Sequence, residues 1–128
     1  MSSSSAPTIL VVEKDLHLRQ LMVDFLSDIS QPHVVEGRGY DALDRARKER
    51  PSLVITDVLI SDLDGLALCR LIKNDEAMKH TKVLVISVIS TEERAREAGA
   101  DGFLKKPIEK KLFQAKVKSL LGAPEEKT

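Results

Sequence analysis

The chain of 128 residues has a single cysteine, no excess of charge of either sign and no long apolar run. Cys69 cannot form a disulfide within the chain, which favours a reducing compartment such as the cytoplasm. Lys and Arg together number 20, as do Asp and Glu, so no net field favours nucleic acid or an anionic membrane surface as a partner. The apolar runs are far shorter than the roughly 20 residues that span a bilayer. We therefore expect a cytoplasmic protein that binds neither nucleic acid nor membrane.

The length of the chain corresponds to one domain. Residues 1–7 are small and polar and end in proline, and residues 123–128 are also mostly polar. Such stretches bury too little apolar surface to offset the entropy of ordering them. The first residues also lack the basic end and the apolar stretch of a secretion signal. We predict disordered tails at 1–7 and 123–128 around one domain at 8–122.

Five short apolar runs alternate with stretches of helical spacing. Continuous apolar runs are typical of strands that are buried on both faces of a parallel sheet. The spacing of Leu18, Leu21, Met22 and Phe25 places them on one face of a helix. The alternation predicts an α/β fold with a doubly wound, five-stranded parallel sheet, helices on both faces and right-handed crossovers. The predicted strands are 9–12, 33–35, 53–55, 83–86 and 102–104, and the predicted helices lie at 18–26, 40–49, 66–72, 92–98 and 109–121.

Polar side chains follow four of these runs. Glu13 comes after the first run, Asp57 after the third and Ser87 after the fourth, and Lys106 lies just beyond the fifth. Because ligands of open parallel sheets bind beyond the carboxyl ends of the strands, we expect these side chains to converge. Carboxylates suit a hard cation such as Mg²⁺, while ammonium and hydroxyl groups suit phosphate oxygens. The set predicts phosphoryl chemistry.

The same residues and their neighbours resemble the receiver domain of response regulators, similar to the chemotaxis regulator, over about residues 8–121. The resemblance implies a sheet order of 2-1-3-4-5 and a signalling role without enzyme activity. Four motifs carry the resemblance. Two of them are Glu13-Lys14 at the position of the acidic pair and Asp57 followed by Leu63-Asp64-Gly65. The others are Ser87 at the hydroxyl position and Ala98-Gly99-Ala100-Asp101-Gly102-Phe103 leading to Lys106-Pro107.

By this resemblance, Asp57 accepts phosphate from a histidine kinase or phosphotransfer protein. Ser87 and Lys106 engage the phosphoryl group, and Ser87 and Phe103 switch the binding of a downstream target. Plain core packing is the alternative for Phe103. Mg²⁺ would be held by acidic groups, Glu13 and Asp57, and by the backbone carbonyl of Leu59.

Lys14 departs from the family, which usually has a metal-binding aspartate at this position. Glu13, Asp57, Lys14 and Lys106 sum to zero charge, whereas the usual set sums to −2 and needs a divalent cation. Mg²⁺ at ~4 Å from an ammonium would be repelled by roughly 8 kcal/mol at an effective dielectric of 20. The sequence therefore predicts an atypical metal site with doubtful Mg²⁺ binding. We hypothesise that Lys14 pairs with Asp57; the alternative is a solvated loop lysine.

Two further departures affect the predicted function. Val88 stands where a small residue is common, which predicts slower entry of a phosphodonor. The stretch from Ser87 to Lys106 is about three residues short, close to one helical turn of ~3.6 residues, so we expect a stunted fourth helix. Together with Lys14, these features favour an alternative: a pseudo-receiver that binds proteins without using phosphate or Mg²⁺. A flavodoxin-like cofactor binder is weaker, because no phosphate-binding loop follows the first run.

Overall fold

The structure is a computed structural model that describes residues 9–122. The predicted tails and Thr8 lie outside the described residues. Strands and helices alternate as predicted, and one turn of 3-10 helix at Glu76–Met78, too short to give a periodic pattern, was not predicted. The strands are β1 (Ile9–Val12), β2 (His33–Glu36), β3 (Leu53–Asp57), β4 (Lys82–Ser87) and β5 (Gly102–Lys105), and the helices are α1 (Leu16–Leu26), α2 (Gly39–Glu49), α3 (Gly65–Lys73), α4 (Glu92–Glu97) and α5 (Lys110–Leu120).

The five strands form one parallel sheet in the order β2-β1-β3-β4-β5, which confirms the predicted fold and strand order. The register pairs Val12 with Thr56, Asp57 with Ile86, and Ser87 with Lys105. Because the strands are parallel, they all end at one edge, which we call the carboxyl edge, and begin at the opposite amino edge. The connection that leaves β1 runs over one face of the sheet, and the connection that leaves β3 runs over the other. Between these two strands lies a topological switch point, which opens a crevice at the carboxyl edge.

Both faces of the sheet are covered, because successive strand residues point to opposite sides. Leu10 and Val12 of β1 pack in a cluster with residues of α2, α3 and α4, while Ile9 and Val11 pack with residues of α1 and α5. β1 and β3 are buried throughout, whereas the edge strands β2 and β5 are mostly half-buried. This two-sided burial accounts for the unbroken apolar runs in the sequence.

The helices differ in length and in how they begin. α4 has 6 residues, against 9 to 11 in the other helices, which confirms the expected short fourth helix. Asp15, Asp64 and Glu109 cap α1, α3 and α5 with their side chains, as expected at helix N-termini. α2 and α4 are different, because the side chains of Arg38 and Thr91, which precede them, make no capping bond. Within residues 9–122, no helix is long and apolar enough to cross a membrane.

Candidate functional site

Asp57 ends β3, the central strand of the sheet, and its side chain is 8% exposed. Its Oδ1 accepts a hydrogen bond from the backbone N–H of Leu59 at 3.2 Å. Its Oδ2 accepts one from Nζ of Lys106 at 2.5 Å. Since both oxygens have a donor, the cost of burying the charge is offset and the orientation of the carboxylate is defined. The predicted acceptor is thus held firmly at the carboxyl edge.

Lys106 joins the two buried acidic side chains of the site. Its Nζ lies 3.3 Å from Oε1 of Glu13 as well as 2.5 Å from Asp57, and the Glu13 side chain is 2% exposed. The backbone N–H of Lys106 donates to the carbonyl of Ser87 at 2.8 Å, which holds the end of β5 beside β4. Residues that follow three different strands therefore meet in one ion-pair cluster, as the parallel topology predicts.

The charges in this cluster do not balance. Burial is the largest influence on Glu13 and raises its pKa, and the negative charge of Asp57 adds to the increase. A hydrogen bond from the backbone N–H of Asp15 at 3.1 Å and the charge of Lys106 act in the opposite direction on that pKa. With both carboxylates ionised, Glu13, Asp57 and Lys106 sum to −1. Such a cluster favours uptake of a further positive charge.

Lys14 does not pair with Asp57, so that hypothesis is wrong. Lys14 is exposed, and Lys106 is the ion-pair partner of Asp57. The physical reason is that Lys106 already fills the position between the carboxylates, while an exposed ammonium keeps its hydration. The next residue, Asp15, does not supply the missing carboxylate, because its Oδ1 accepts the N–H groups of His17 and Leu18 at 2.9 and 3.1 Å and caps α1.

Two of the predicted metal ligands lie close together. Glu13 and Asp57 are together, and both contact the ammonium of Lys106. Leu59 is half-exposed and follows Asp57 in the β3–α3 loop. In the part of the chain that the structure describes, no group of three His, Cys, Asp or Glu side chains is placed to hold a metal ion.

Ser87 and Phe103, the predicted switch residues, lie in adjacent strands at different depths. Ser87 is fully buried at the end of β4, and its Oγ accepts the N–H of Ile89 at 3.2 Å. Phe103 is half-buried in β5, packs against the cluster beneath α4, and lines a cavity of about 190 Å³ beside α4. Val88 is 55% exposed and Ile89 is 45% exposed. The loop after Ser87 thus presents apolar side chains to solvent near the carboxyl edge.

Two polar residues near the site were not predicted. Arg19 donates from Nε and Nη2 to the carbonyl of Glu13 at 3.0 and 2.8 Å, and so holds the turn that carries Glu13 and Lys14. The sequence signal that could have identified Arg19 is a single cationic side chain early in the helix that follows the turn. Asp62 accepts the N–H of Gly39 at 2.7 Å. No local signal identifies this pair, because 23 residues separate its members.

Comparison with known proteins agrees with the fold. Residues 9–118 match the family of response regulator receiver domains. The polar-differentiation response regulator DivK of Brucella anthropi is 28% identical over 118 residues, which are 90% of this chain and 96% of that protein. The signal receiver domain of a signal transduction histidine kinase from Syntrophus aciditrophicus is 28% identical with a TM-score of 0.85, over 96% of each chain.

A more distant structure contains a metal ion. The receiver domain of a sensor histidine kinase from Pseudomonas aeruginosa is 20% identical with a TM-score of 0.83, over 92% of this chain and 99% of that one. In that protein a magnesium ion is coordinated in the active-site cleft. This chain shares the fold of that domain.

Proposed function

The chain belongs to the response regulator receiver domain family, whose members serve two-component signalling, and on that basis we propose that Asp57 is its phosphoacceptor. The observation that carries the proposal is the carboxylate of Asp57, nearly buried at the carboxyl edge and held between Leu59 N–H and Lys106 Nζ. In transfer, a carboxylate oxygen attacks the phosphorus of a phosphohistidine on a kinase or phosphotransfer protein. The phosphorus–nitrogen bond breaks, its electron pair stays on the imidazole, and an acyl phosphate forms on Asp57.

Lys106 and Ser87 have distinct parts in this proposal. The ammonium of Lys106 moves from the carboxylate oxygen to the phosphoryl oxygens and offsets their charge. The hydroxyl of Ser87, which now accepts from Ile89, turns to donate to the phosphoryl group. Both movements change the β4–α4 loop, on the side of the sheet where Phe103 lies. Phosphorylation is thereby linked to the surface formed by α4, β5 and α5.

Receiver domains commonly bind Mg²⁺ in this cleft, but the donor set of this chain does not fit the ion well. Mg²⁺ takes six oxygen ligands in near-ideal octahedral geometry, and in the family it offsets charge on the transferring phosphoryl group. Here one carboxylate is replaced by Lys14, Asp15 is engaged as a helix cap, and both remaining carboxylates contact Lys106. We infer an atypical site that does not saturate with Mg²⁺ below millimolar concentration.

Receiver domains interact with histidine kinases or phosphotransfer proteins and with downstream targets. We propose that this chain does the same as a cytoplasmic signalling module without enzyme activity of its own. Its short α4 and the cavity beside β5 give the target-binding surface an unusual shape. Targets that fit a full-length α4 should bind it poorly.

The second candidate function is a pseudo-receiver, a protein-interaction module that does not use phosphate or Mg²⁺. Lys14 in place of a carboxylate is the observation that favours it, since this replacement removes a metal ligand from the site. The exposed Val88 beside the site adds support, because it narrows the approach of a phosphodonor.

Intact mass after incubation with acetyl phosphate and excess Mg²⁺ separates the two candidates. We expect the wild type to gain the mass of one phosphoryl group and Asp57→Asn to gain none, because the amide is not a nucleophile for phosphorus. Asp101→Asn, which changes an aspartate at the amino edge, is the matched control and should be modified like the wild type. A wild type that stays unmodified, both here and with a phosphorylated phosphotransfer protein, would support the pseudo-receiver instead.

A further inference from the structure

The start of α2 is capped from another part of the chain. The first N–H groups of a helix need acceptors, and the side chain of Arg38 supplies none to α2. Instead, Oδ1 of Asp62 accepts the N–H of Gly39 at 2.7 Å, and Oδ2 lies 3.4 Å from the N–H of Tyr40. The positive end of the helix dipole also favours a carboxylate at this position. Asp62 therefore performs for α2 the role that a preceding residue performs for α1, α3 and α5.

Close packing accompanies this cap. A Cβ atom at Gly39 would lie 2.5 Å from the carbonyl oxygen of Leu63 and 2.6 Å from its Cβ, so a larger residue would push the two segments apart. Nε of Arg38 lies 3.8 Å from Oδ2 of Asp62. The first turn of α2 is thus in direct contact with residues 62–63.

Asp62 belongs to the loop that leads from Asp57 to α3. The base of this loop is closed by a hydrogen bond from Gly65 N–H to the carbonyl of Val58 at 2.9 Å. Ile60 and Leu63 contact the core, but apolar contacts are not directional and do not orient a peptide group. Apart from the bond between Leu59 N–H and Asp57, the contacts of Asp62 are, among the residues that the structure describes, the polar ones that join residues 59–63 to another element.

The same loop supplies the donor to Asp57. Leu59 N–H is bonded to Oδ1 of Asp57 at 3.2 Å, three residues before Asp62. We propose that Asp62 is a positioning residue: by capping α2 it holds the loop so that the Leu59 peptide stays oriented on Asp57. Its effect on phosphoryl transfer rests on the proposed function, whereas its effect on the Leu59 peptide does not.

Asp75 offers a matched control at the amino edge. Its Oδ1 accepts the N–H of Ala77 at 2.8 Å, and its Oδ2 lies 3.8 Å from Nε of Arg47. Asp62→Ala and Asp75→Ala therefore each remove a capping acceptor and a weak ion pair. Asp62→Asn keeps an oxygen that can accept from Gly39 and serves as the conservative rescue variant.

The first readout is exchange of the Leu59 amide hydrogen with water, followed by NMR without any phosphodonor. Loss of a helix cap changes the equilibrium constant for local opening by about fivefold. Exchange of the Leu59 amide should therefore be about fivefold faster in Asp62→Ala and nearly unchanged in Asp62→Asn and Asp75→Ala. Thermal unfolding of all three variants identifies any global loss of stability, which would accelerate exchange in Asp75→Ala as well. Equal exchange in the two alanine variants would overturn the proposal.

The second readout is the rate of Asp57 modification by acetyl phosphate. It should fall about fivefold in Asp62→Ala and recover in Asp62→Asn. If the wild type is modified neither by acetyl phosphate nor by a phosphorylated phosphotransfer protein, the proposed function fails, and the Leu59 amide still decides whether Asp62 positions the loop. If modification is unchanged in Asp62→Ala while Leu59 exchange increases, Asp62 holds the loop but the link to phosphoryl transfer is wrong.

Discussion

The two edges of the sheet satisfy their polar side chains in different ways. At the amino edge, Lys73 Nζ donates to the carbonyl of Thr81 and to Oδ2 of Asp101, both at 3.0 Å. The same carboxylate oxygen accepts the N–H of Val83 at 2.9 Å, and the Thr81 hydroxyl donates to the carbonyl of Pro51 at 2.8 Å. One cation is matched to one carboxylate, and main-chain groups complete the set.

At the carboxyl edge the balance is lost. Glu13 and Asp57 contact a single ammonium, that of Lys106, and burial raises the pKa of Glu13. A balanced, fully bonded cluster has little reason to bind anything further, whereas a buried cluster with excess negative charge responds to cations, protons and charge transfer. The difference in charge balance between the two edges points to the carboxyl edge as the reactive one, without reference to any related protein.

The largest stability effect should come from Lys106→Met compared with Lys73→Met. Removing Lys106 leaves two buried carboxylates without a counterion, and we expect a loss of about 3 kcal/mol in the free energy of unfolding at neutral pH. Removing Lys73 leaves a less buried carboxylate that keeps its bond from Val83, and about 1–2 kcal/mol should be lost. Urea denaturation measures both. Equal losses of unfolding free energy in the two variants would mean that the two edges do not differ in charge balance.

The Lys106→Met loss should also depend on pH. As pH falls, Glu13, whose pKa is raised by burial, takes up a proton and no longer needs the ammonium, so the difference from the wild type should shrink. A Lys106→Met deficit that is the same at acidic and neutral pH would contradict the electrostatic explanation.

A smaller effect, of opposite sign, is expected for Glu13→Gln in metal-free buffer. The folded-state pKa of Glu13 lies above its ordinary value of 4.5, so the folded chain binds the proton more tightly than the unfolded chain. This contribution to stability is complete below that ordinary value and is lost as pH rises through the folded-state pKa.

Glutamine at position 13 keeps the acceptor for Asp15 N–H but does not ionise. Glu13→Gln should therefore unfold like the wild type at acidic pH and be more stable than it at neutral pH, as pH-dependent urea denaturation would show. A neutral-pH loss of stability would mean that the pair with Lys106 outweighs burial.

The site could be predicted where a residue's position follows from topology. Asp57 ends a buried strand, and Glu13 and Lys106 each follow a strand directly, so a parallel sheet with covered faces brings them to one edge. The helix boundaries agree with the predictions to within about two residues, because apolar spacing and the glycine after α5 are local signals. The short α4 could be predicted through the resemblance, because the stretch from Ser87 to Lys106 is shorter than in the family.

Contacts that depend on loops could not be predicted in this way. Lys14 was expected beside Asp57, but a loop lysine with a long side chain is free to face water, and the competing ammonium of Lys106 comes from the far end of the sequence. The cap that Asp62 provides to α2 joins two loops, and its geometry exists only after both segments have folded. Charge counting predicted an unusual site but did not predict which lysine would pair with Asp57.

The structure changes the interpretation of Lys14 without changing its expected consequence. An exposed Lys14 does not neutralise Asp57, yet it still leaves the site without the carboxylate that the family uses for the metal. Lys14→Asp restores that group and makes the sum over Glu13, Asp57, residue 14 and Lys106 equal to −2. Lys14→Met, which removes the ammonium without adding a carboxylate, separates the two effects.

The most direct test compares the wild type with Lys14→Asp. The rate at which acetyl phosphate modifies Asp57 is measured in both as the Mg²⁺ concentration is raised. We expect a slow wild-type rate with little response to Mg²⁺ below millimolar concentration, and a faster rate in Lys14→Asp that saturates with Mg²⁺, because the ion then offsets charge on the phosphoryl oxygens. Lys14→Met should resemble the wild type. A wild type that is modified as fast as Lys14→Asp, with saturation below millimolar Mg²⁺, would contradict the account and show that Glu13, Asp57 and Leu59 suffice to hold the metal.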